Sequence, residues 1–414
     1  VAAEKETRIE TVMPTTTAAP PSDHVAAVLA SFLGWTLDAF DFFLVVMCLT
    51  RIAADFHVPD KAIAWSLTVT LAFRPVGALI FGVLSDRYGR RIPLMLDLVF
   101  YSIVEVLSGL AQTYTQFLVL RALFGIGMGG EWGVGASLAM EKVPPRLRGV
   151  FSGLLQQGYA LGYLLAALAY ALVVPRWGWR PLFFLGGLPA LLALLVRAHV
   201  KESEVWERNR HGTLRAIFGT LVDNKGLFVK LVILMTAMGL ASHGTQDMYP
   251  TFLERHWHVA VQPRTWMTCI SMVGAIIGGV LVGMYSDRIG RRRAIAFALF
   301  GAIVAVPLWA FAPSVPLLVV GAFFLQLFVQ GAWGVIPAHI TELSPNSVRG
   351  LLPGFAYQCG ILIAGTITTV EAALAERMSY AWAMATVAVL SFALAAVAAL
   401  LGREEKGVEY GSKF

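Results

Sequence analysis

Apolar runs of roughly 20 residues recur along the chain, each bounded by Arg, Lys, Gly or Pro. A hydrocarbon slab about 30 Å thick asks for about 20 helical residues per crossing. The pattern predicts twelve transmembrane helices, over residues 25–50, 62–84, 92–112, 115–140, 149–174, 179–197, 227–252, 264–285, 294–312, 314–341, 350–375 and 379–401. The longest charged stretch between them lies near the middle of the chain, with Lys201, Glu202, Glu204, Glu207, Arg208 and Arg210.

The chain also matches itself at a fixed offset of 201 positions. Gly82-Val-Leu-Ser-Asp-Arg-Tyr-Gly-Arg-Arg91 returns as Gly283-Met-Tyr-Ser-Asp-Arg-Ile-Gly-Arg-Arg292, and Trp132-Gly-Val134 as Trp333-Gly-Val335. Glu141, Pro144, Arg148, Gly149, Gly153 and Gln157 return as Glu342, Pro345, Arg349, Gly350, Gly354 and Gln358. An ungapped correspondence over two loops and the intervening helices means that one membrane unit is used twice. The expected fold is an all-α membrane protein of two pseudo-symmetric six-helix bundles, residues 25–198 and 227–402. Residues 199–226 are the expected linker, and 1–24 and 403–414 the tails. The first tail, Thr/Pro-rich and without an apolar core, reads as disordered and not as a signal peptide.

Composition agrees: 57% of residues are hydrophobic and 14% charged, too apolar for one soluble core. With both tails on the cytoplasmic side, about 22 Lys/Arg fall there against about 7 outside, the bias that sets topology. The basic pI of 9.3 therefore reflects membrane orientation and not nucleic-acid binding. Cys48, Cys269 and Cys359 lie far apart and form no disulfide or metal framework. No cofactor or metal is expected, and the chain reads as a monomer.

Residues present in both halves serve shared architecture. The Asp-Arg-x-Gly-Arg-Arg loops (Asp86, Arg87, Arg90; Asp287, Arg288, Arg291) are placed to pair with Glu141/Arg148 and Glu342/Arg349. Topogenic charge with packing is one reading; a breakable cytoplasmic latch is the other.

Intramembrane polar residues found in one half only are the better site candidates, because burying them is expensive. Arg74 is mirrored by Ala275, Arg121 by Ala322, Glu131 by Ala332, and Asp38 and Asp41 by Gly239 and Ser242. His243, Gln246, Asp247, Pro250 and Thr251 fall at i, i+3, i+4, i+7 and i+8, a polar stripe that must face a cavity or another helix. Asp38 and Asp41 share a face of the first helix; in low dielectric both cannot be charged cheaply, a property a proton carrier needs. Structural readings stand beside these: Arg74 as a paired cation, His243 as a packing residue, Asp247 as a gate residue. Glu105 has no evident partner, and Gln326, Gln330 and His339 read as interhelical hydrogen bonds or cavity lining. The glycine-rich run Arg121–Gly133 follows no strand, so it is a helix-packing surface and not a nucleotide loop.

At these residues the chain resembles the major facilitator superfamily. Both Gly-x-x-x-Asp-Arg-x-Gly-Arg-Arg loops match its cytoplasmic signature, and Arg121 with Gly125, Gly127 and Gly129 is similar to its proton-linked fourth-helix motif. Trp35-Thr-Leu-Asp-Ala-Phe-Asp41, Arg74-Pro-Val-Gly-Ala78 and Gly130-Glu-Trp-Gly133 resemble bacterial organic-acid:proton symporters. Ser242-His-Gly-Thr-Gln-Asp-Met-Tyr-Pro-Thr251 is similar to the seventh-helix signature of the sialate:proton symporter family, which includes Jen-type lactate permeases. The signature's leading Asn falls here on Gly239. The resemblance implies substrate-recognition roles for Arg74, His243, Gln246 and Asp247, and an inner-membrane protein.

The expected function is proton-coupled symport of a small organic anion by rocking of the halves around a midplane cavity. Sialate carriers of that family resemble a longer design with extra spans between the halves, so the resemblance with a short centre implies a monocarboxylate such as lactate or pyruvate first; sialic acid, an aromatic acid or, further off, a sugar are the alternatives. Arg74 would grip the carboxylate, after pairing with Asp38 or Asp41 in the empty site; Asp41 is thus expected at the substrate as well. Asp38, Asp41 and a Glu131–Arg121 pair are the expected proton sites. The partners are thus a small organic acid, protons and the bilayer. A membrane enzyme would need a nucleophile–base pair or metal cluster, and the sequence offers neither.

Overall fold

The computed structural model describes residues 21–209, 213–247 and 249–411; residues 1–20 of the expected tail and Arg210 of the linker lie outside them. The chain is helical throughout these segments. Four long helices come first: α1 (Pro21–Asp55), α2 (Asp60–Tyr88), α3 (Arg91–Leu110) and α4 (Tyr114–Lys142). Then come α5 (Arg148–Gln156) with α6 (Gly158–Trp177), and α7 (Arg180–Leu185) with α8 (Leu188–His199). Two short helices, α9 (Glu204–Arg208) and α10 (Leu214–Asp223), form the link. The second half runs through α11 (Lys225–Gln246), α12 (Tyr249–Arg255), α13 (Val261–Ile289), α14 (Arg291–Ala310), α15 (Val315–Leu343), α16 (Leu352–Ala364), α17 (Ile367–Ala375) and α18 (Tyr380–Leu401).

Among the described residues, eleven helices are long and apolar enough to cross a membrane. The expected sixth span is the exception: it is broken at Gly186-Gly187 into α7 and α8. Breaks also fall within the seventh span, after Gln246, and the eleventh, at Gly365-Thr366. α1 starts at Pro21, inside the stretch expected to be tail.

Both signature loops turn on glycine. Gly89 (φ 102°) ends α2 and Gly290 (φ 97°) ends α13, in backbone conformations that a Cβ disfavours. Glycines also set the closest helix pairs. A Cβ on Gly77 or Gly129 would strike the backbone of the facing helix in the α2–α4 pair, and Gly278 and Gly334 do the same between α13 and α15. The helix-4 glycines are therefore a packing surface, as their context predicts. The outer surface is apolar, with Leu96, Phe300 and Leu390 more than half exposed, while Arg90, Arg121 and Arg291 are buried. That inversion suits a lipid surround.

Candidate transport site

The two bundles meet at one end of the molecule. Glu141 and Glu342 each anchor the signature arginine of their own half: Arg90 reaches Glu141 at 3.0 Å and Asp86 at 2.5 Å, and Arg291 reaches Glu342 at 2.9 Å and Asp287 at 2.8 Å. The aspartates then cross to the other bundle. Asp86 accepts from the backbone N–H groups of Gly350 (2.8 Å) and Leu351 (3.0 Å), and Asp287 from those of Gly149 (2.9 Å) and Val150 (3.2 Å). Arg349 lies 3.6 Å from Glu141 and Arg148 lies 3.5 Å from Glu342, again across the interface. Arg87 and Arg288 stand apart from this network: Arg87 lies over the Tyr88 ring, and Arg288 is exposed.

The segment after α18 packs into the same place. The Tyr410 ring is sandwiched between Arg148 (3.5 Å) and Arg349 (3.9 Å), and its hydroxyl donates to Thr341. Burial holds the Tyr410 phenol above its usual range, so it stays neutral between the two guanidiniums. Glu202 and Glu404 accept from the first backbone N–H groups of α3 and α14, a matched pair of caps outside the signature loops.

Away from this network the bundles part around a cavity. Trp35, Arg74, Gln156 and Tyr159 line it from the first half; His243, Gln330, Trp333 and Tyr357 line it from the second. Aromatic planes dominate. Trp35 stacks on Tyr159 (5.8 Å), Trp132 on Tyr357 (4.4 Å), and Trp333 meets Tyr357 edge-on (5.7 Å). Arg74 is 5% exposed, lies 5.9 Å from the Tyr357 ring centre, and has no hydrogen-bond partner for Nε or Nη2 among the described residues. Most polar groups nearby are already engaged with each other: Gln156 with Trp132, Gln330 with Ser242, and His243 with Asp247 at 3.2 Å.

Several expected arrangements change. Arg121 pairs with Glu105, not Glu131, and also donates to Ser108 at 2.5 Å. Ten residues separate Arg121 from Glu131 on α4, about 15 Å of helix, too far for contact. Asp38 and Asp41 are fully buried, with no hydrogen-bond partner among the described residues, so neither is paired directly with Arg74 in this state. Asp41 also lies off the cavity wall, against Gly186 and beside Glu105. The polar stripe after His243 is interrupted, because α11 ends at Gln246; Gln246 bonds Gln326 (2.9 Å), one shell behind the lining. His339 lies at a separate pocket beside Leu343 and Arg403, not at the cavity.

The sequence reading missed four contributors. Asp97 and Tyr101 are fully buried on α3, and both carboxylate oxygens of Asp97 lack a partner. Their signal was available: Asp97, Tyr101, Glu105 and Ser108 fall at i, i+4, i+8 and i+11. Glu371 is buried in α17 beside Gly244 and in electrostatic reach of Asp247. Trp333 reads as scaffold because the repeat carries it, yet it lines the cavity.

The Major Facilitator Superfamily profile matches residues 27–257 and 248–413, and the chain belongs to that superfamily. It is 31% identical to a protein of Cupriavidus pinatubonensis described as a probable 4-methylmuconolactone transporter, over 92% of this chain and 90% of that one. It is 29% identical to the sialic acid transporter NanX of Escherichia coli, over 81% of this chain and 83% of the relative. The solved structure of the proton:xylose symporter XylE bound to 6-bromo-6-deoxy-D-glucose superposes with a TM-score of 0.74 at 19% identity, covering 94% and 98% of the two chains. That likeness concerns the fold. The chain is thus a multi-pass membrane transporter and not an enzyme, as its sequence led us to expect.

Proposed function

We propose that the protein is a proton-coupled symporter of a small, flat organic monocarboxylate, working by alternating access with the latch on the cytoplasmic side of an inner membrane. The observation that carries this reading is Arg74: a guanidinium with unused donors, facing an aromatic-walled cavity between the bundles. A guanidinium stays charged and offers two parallel N–H bonds to a carboxylate. Stacked Trp and Tyr planes suit a conjugated or aromatic body, and His243 is placed for a further polar atom. The mutual engagement of Gln156, Gln330 and Ser242 leaves few polar groups for a polyhydroxylated substrate such as sialic acid or a sugar. The name of one relative, a probable 4-methylmuconolactone transporter, agrees with a compact organic substrate, whereas NanX is named for sialic acid. Coupling follows from cost: an unpaired charge carried through a closed, low-dielectric intermediate costs several kcal/mol, and a co-transported proton removes it. Asp38, Asp41 and Glu131, buried within electrostatic reach of one another or of Arg74, are the proposed proton sites.

The test is a thermal-shift and uptake panel of nicotinate, lactate, pyruvate and sialic acid on wild type, Arg74→Ala and Arg74→Lys. Nicotinate should stabilise the wild type and be taken up, Arg74→Ala should lose both, and Arg74→Lys should recover part of the binding. Lactate or pyruvate as the sole active acids would restore the smaller substrate first expected from the short centre. Wild-type uptake by Arg74→Ala would remove the anion-clamp role.

A further inference from the structure

One buried feature is left unused by the substrate cavity. Along α3, Asp97, Tyr101, Glu105 and Ser108 form one stripe, all fully buried, running from about 9 Å inside the latch end toward the opposite end of the helix. Other helices face this stripe with acids. Glu131 comes from α4 and packs against Gly34 of α1; Asp38 and Asp41 come from α1. The cations in reach are Arg74 from α2, beside Asp38, and Arg121 from α4, which is bonded to Glu105 and Ser108. α8 contributes apolar Leu192 and Val196 to the same cluster.

Five carboxyls therefore share two guanidiniums in a dry, apolar setting. Full ionisation would leave three charges uncompensated, at a cost of several kcal/mol each. Carboxyls that cannot all be charged are suited to holding and passing protons. The second, independent observation is Tyr101: its hydroxyl is fully buried, has no hydrogen-bond partner among the described residues, and stands within electrostatic reach of Asp38, Asp41, Asp97 and Glu131 together. A hydroxyl both donates and accepts, so it links carboxyls that do not touch.

We propose that Asp97, Tyr101 and Glu105 on α3, with Glu131, Asp38 and Asp41 facing them, form a proton path through the first bundle that runs beside the substrate cavity and meets it at Arg74. This rests on the symport reading above. In a cycle, one proton enters at the Glu105/Asp41 end and one leaves from Asp97 at the latch end, and every carboxyl returns to its starting state. Asp38 sits where the two routes touch, so the charge on Arg74 senses the path. Asp97 acts through its neighbours and never contacts the substrate.

The experiment uses proteoliposomes of the full chain, a trapped pH dye and labelled nicotinate. With a one-unit pH gradient, one coupled proton supports about tenfold accumulation. Asp97→Asn should keep nicotinate-for-nicotinate exchange near the wild-type rate while accumulation and proton entry fall to background. Tyr101→Phe should slow proton entry more than exchange, and Asp97→Glu should restore coupling. A substrate-free readout runs alongside: the infrared C=O stretch of protonated carboxyls, followed across pH, should lose intensity in Asp97→Asn. Wild-type accumulation by Asp97→Asn would overturn the path. So would loss of exchange that Asp97→Glu fails to restore, since that marks a packing role. If the wild type accumulates nicotinate without proton entry, the symport reading itself fails and the path falls with it.

Discussion

Replacing Asp86 and Asp287 by Asn probes the latch at the point where the geometry is most demanding. Each carboxylate uses both oxygens on the opposite bundle, Asp86 on Gly350 and Leu351 and Asp287 on Gly149 and Val150. An Asn keeps one acceptor and turns the other into a donor aimed at a backbone N–H. At least one bond to a charged acceptor is lost per site, about 2 kcal/mol. Arg90 and Arg291 keep Glu141 and Glu342, so the bundles themselves should stay folded. One substitution should then shift the balance toward the latch-open state about 30-fold, and both together nearly a thousandfold, at about 1.4 kcal/mol per factor of ten. Spin labels at the exposed Tyr88 and Arg288, near the ends of α2 and α13, report the separation directly. The long-distance population should grow in the singles and dominate in the double, and apparent affinity for substrate offered from the far side should fall with it. Arg87→Gln, outside the network, is the control. Unchanged distances in the double variant would refute the latch.

Further outcomes follow from other contacts. Tyr410→Ala removes the ring between Arg148 and Arg349 and should open the latch in the same label assay, by less than the aspartate pair; equal distances would count against it. Gly129→Leu drives a side chain into the Arg74 backbone and should lower the melting temperature and abolish uptake together. Tyr357→Ala strips the ring shared by Trp132, Trp333 and Arg74, and should weaken nicotinate by about tenfold or more, the worth of one good aromatic contact, while affecting lactate less.

The fold was legible because a bilayer leaves few choices. Span length, the repeat and the positive charge bias each constrain it separately, and the latch partners could be named because the same residues occur twice. Pairings between different helices were not legible. Arg121 has Glu105 as partner because α3 and α4 run antiparallel at that height, which no one-dimensional spacing records. Asp97, Tyr101 and Glu105 do carry a legible signal, the i, i+4 and i+8 spacing of a polar stripe on one face of the third helix. Glu371 stands alone in its helix, so no periodicity marks it. Trp333 is a repeat residue, and repetition by itself points to shared scaffold; where the two halves meet, one residue serves both purposes.

The position of Tyr410 also bears on biogenesis. Residues 404–410 are synthesised after all the described membrane helices, yet they supply the cap on α14 and the wedge between Arg148 and Arg349. Both halves are therefore threaded into the lipid before the piece that clasps them exists. Closure of the seal follows insertion of the described helices, and a chain cut short of residue 404 would hold two inserted halves with an unfinished seal.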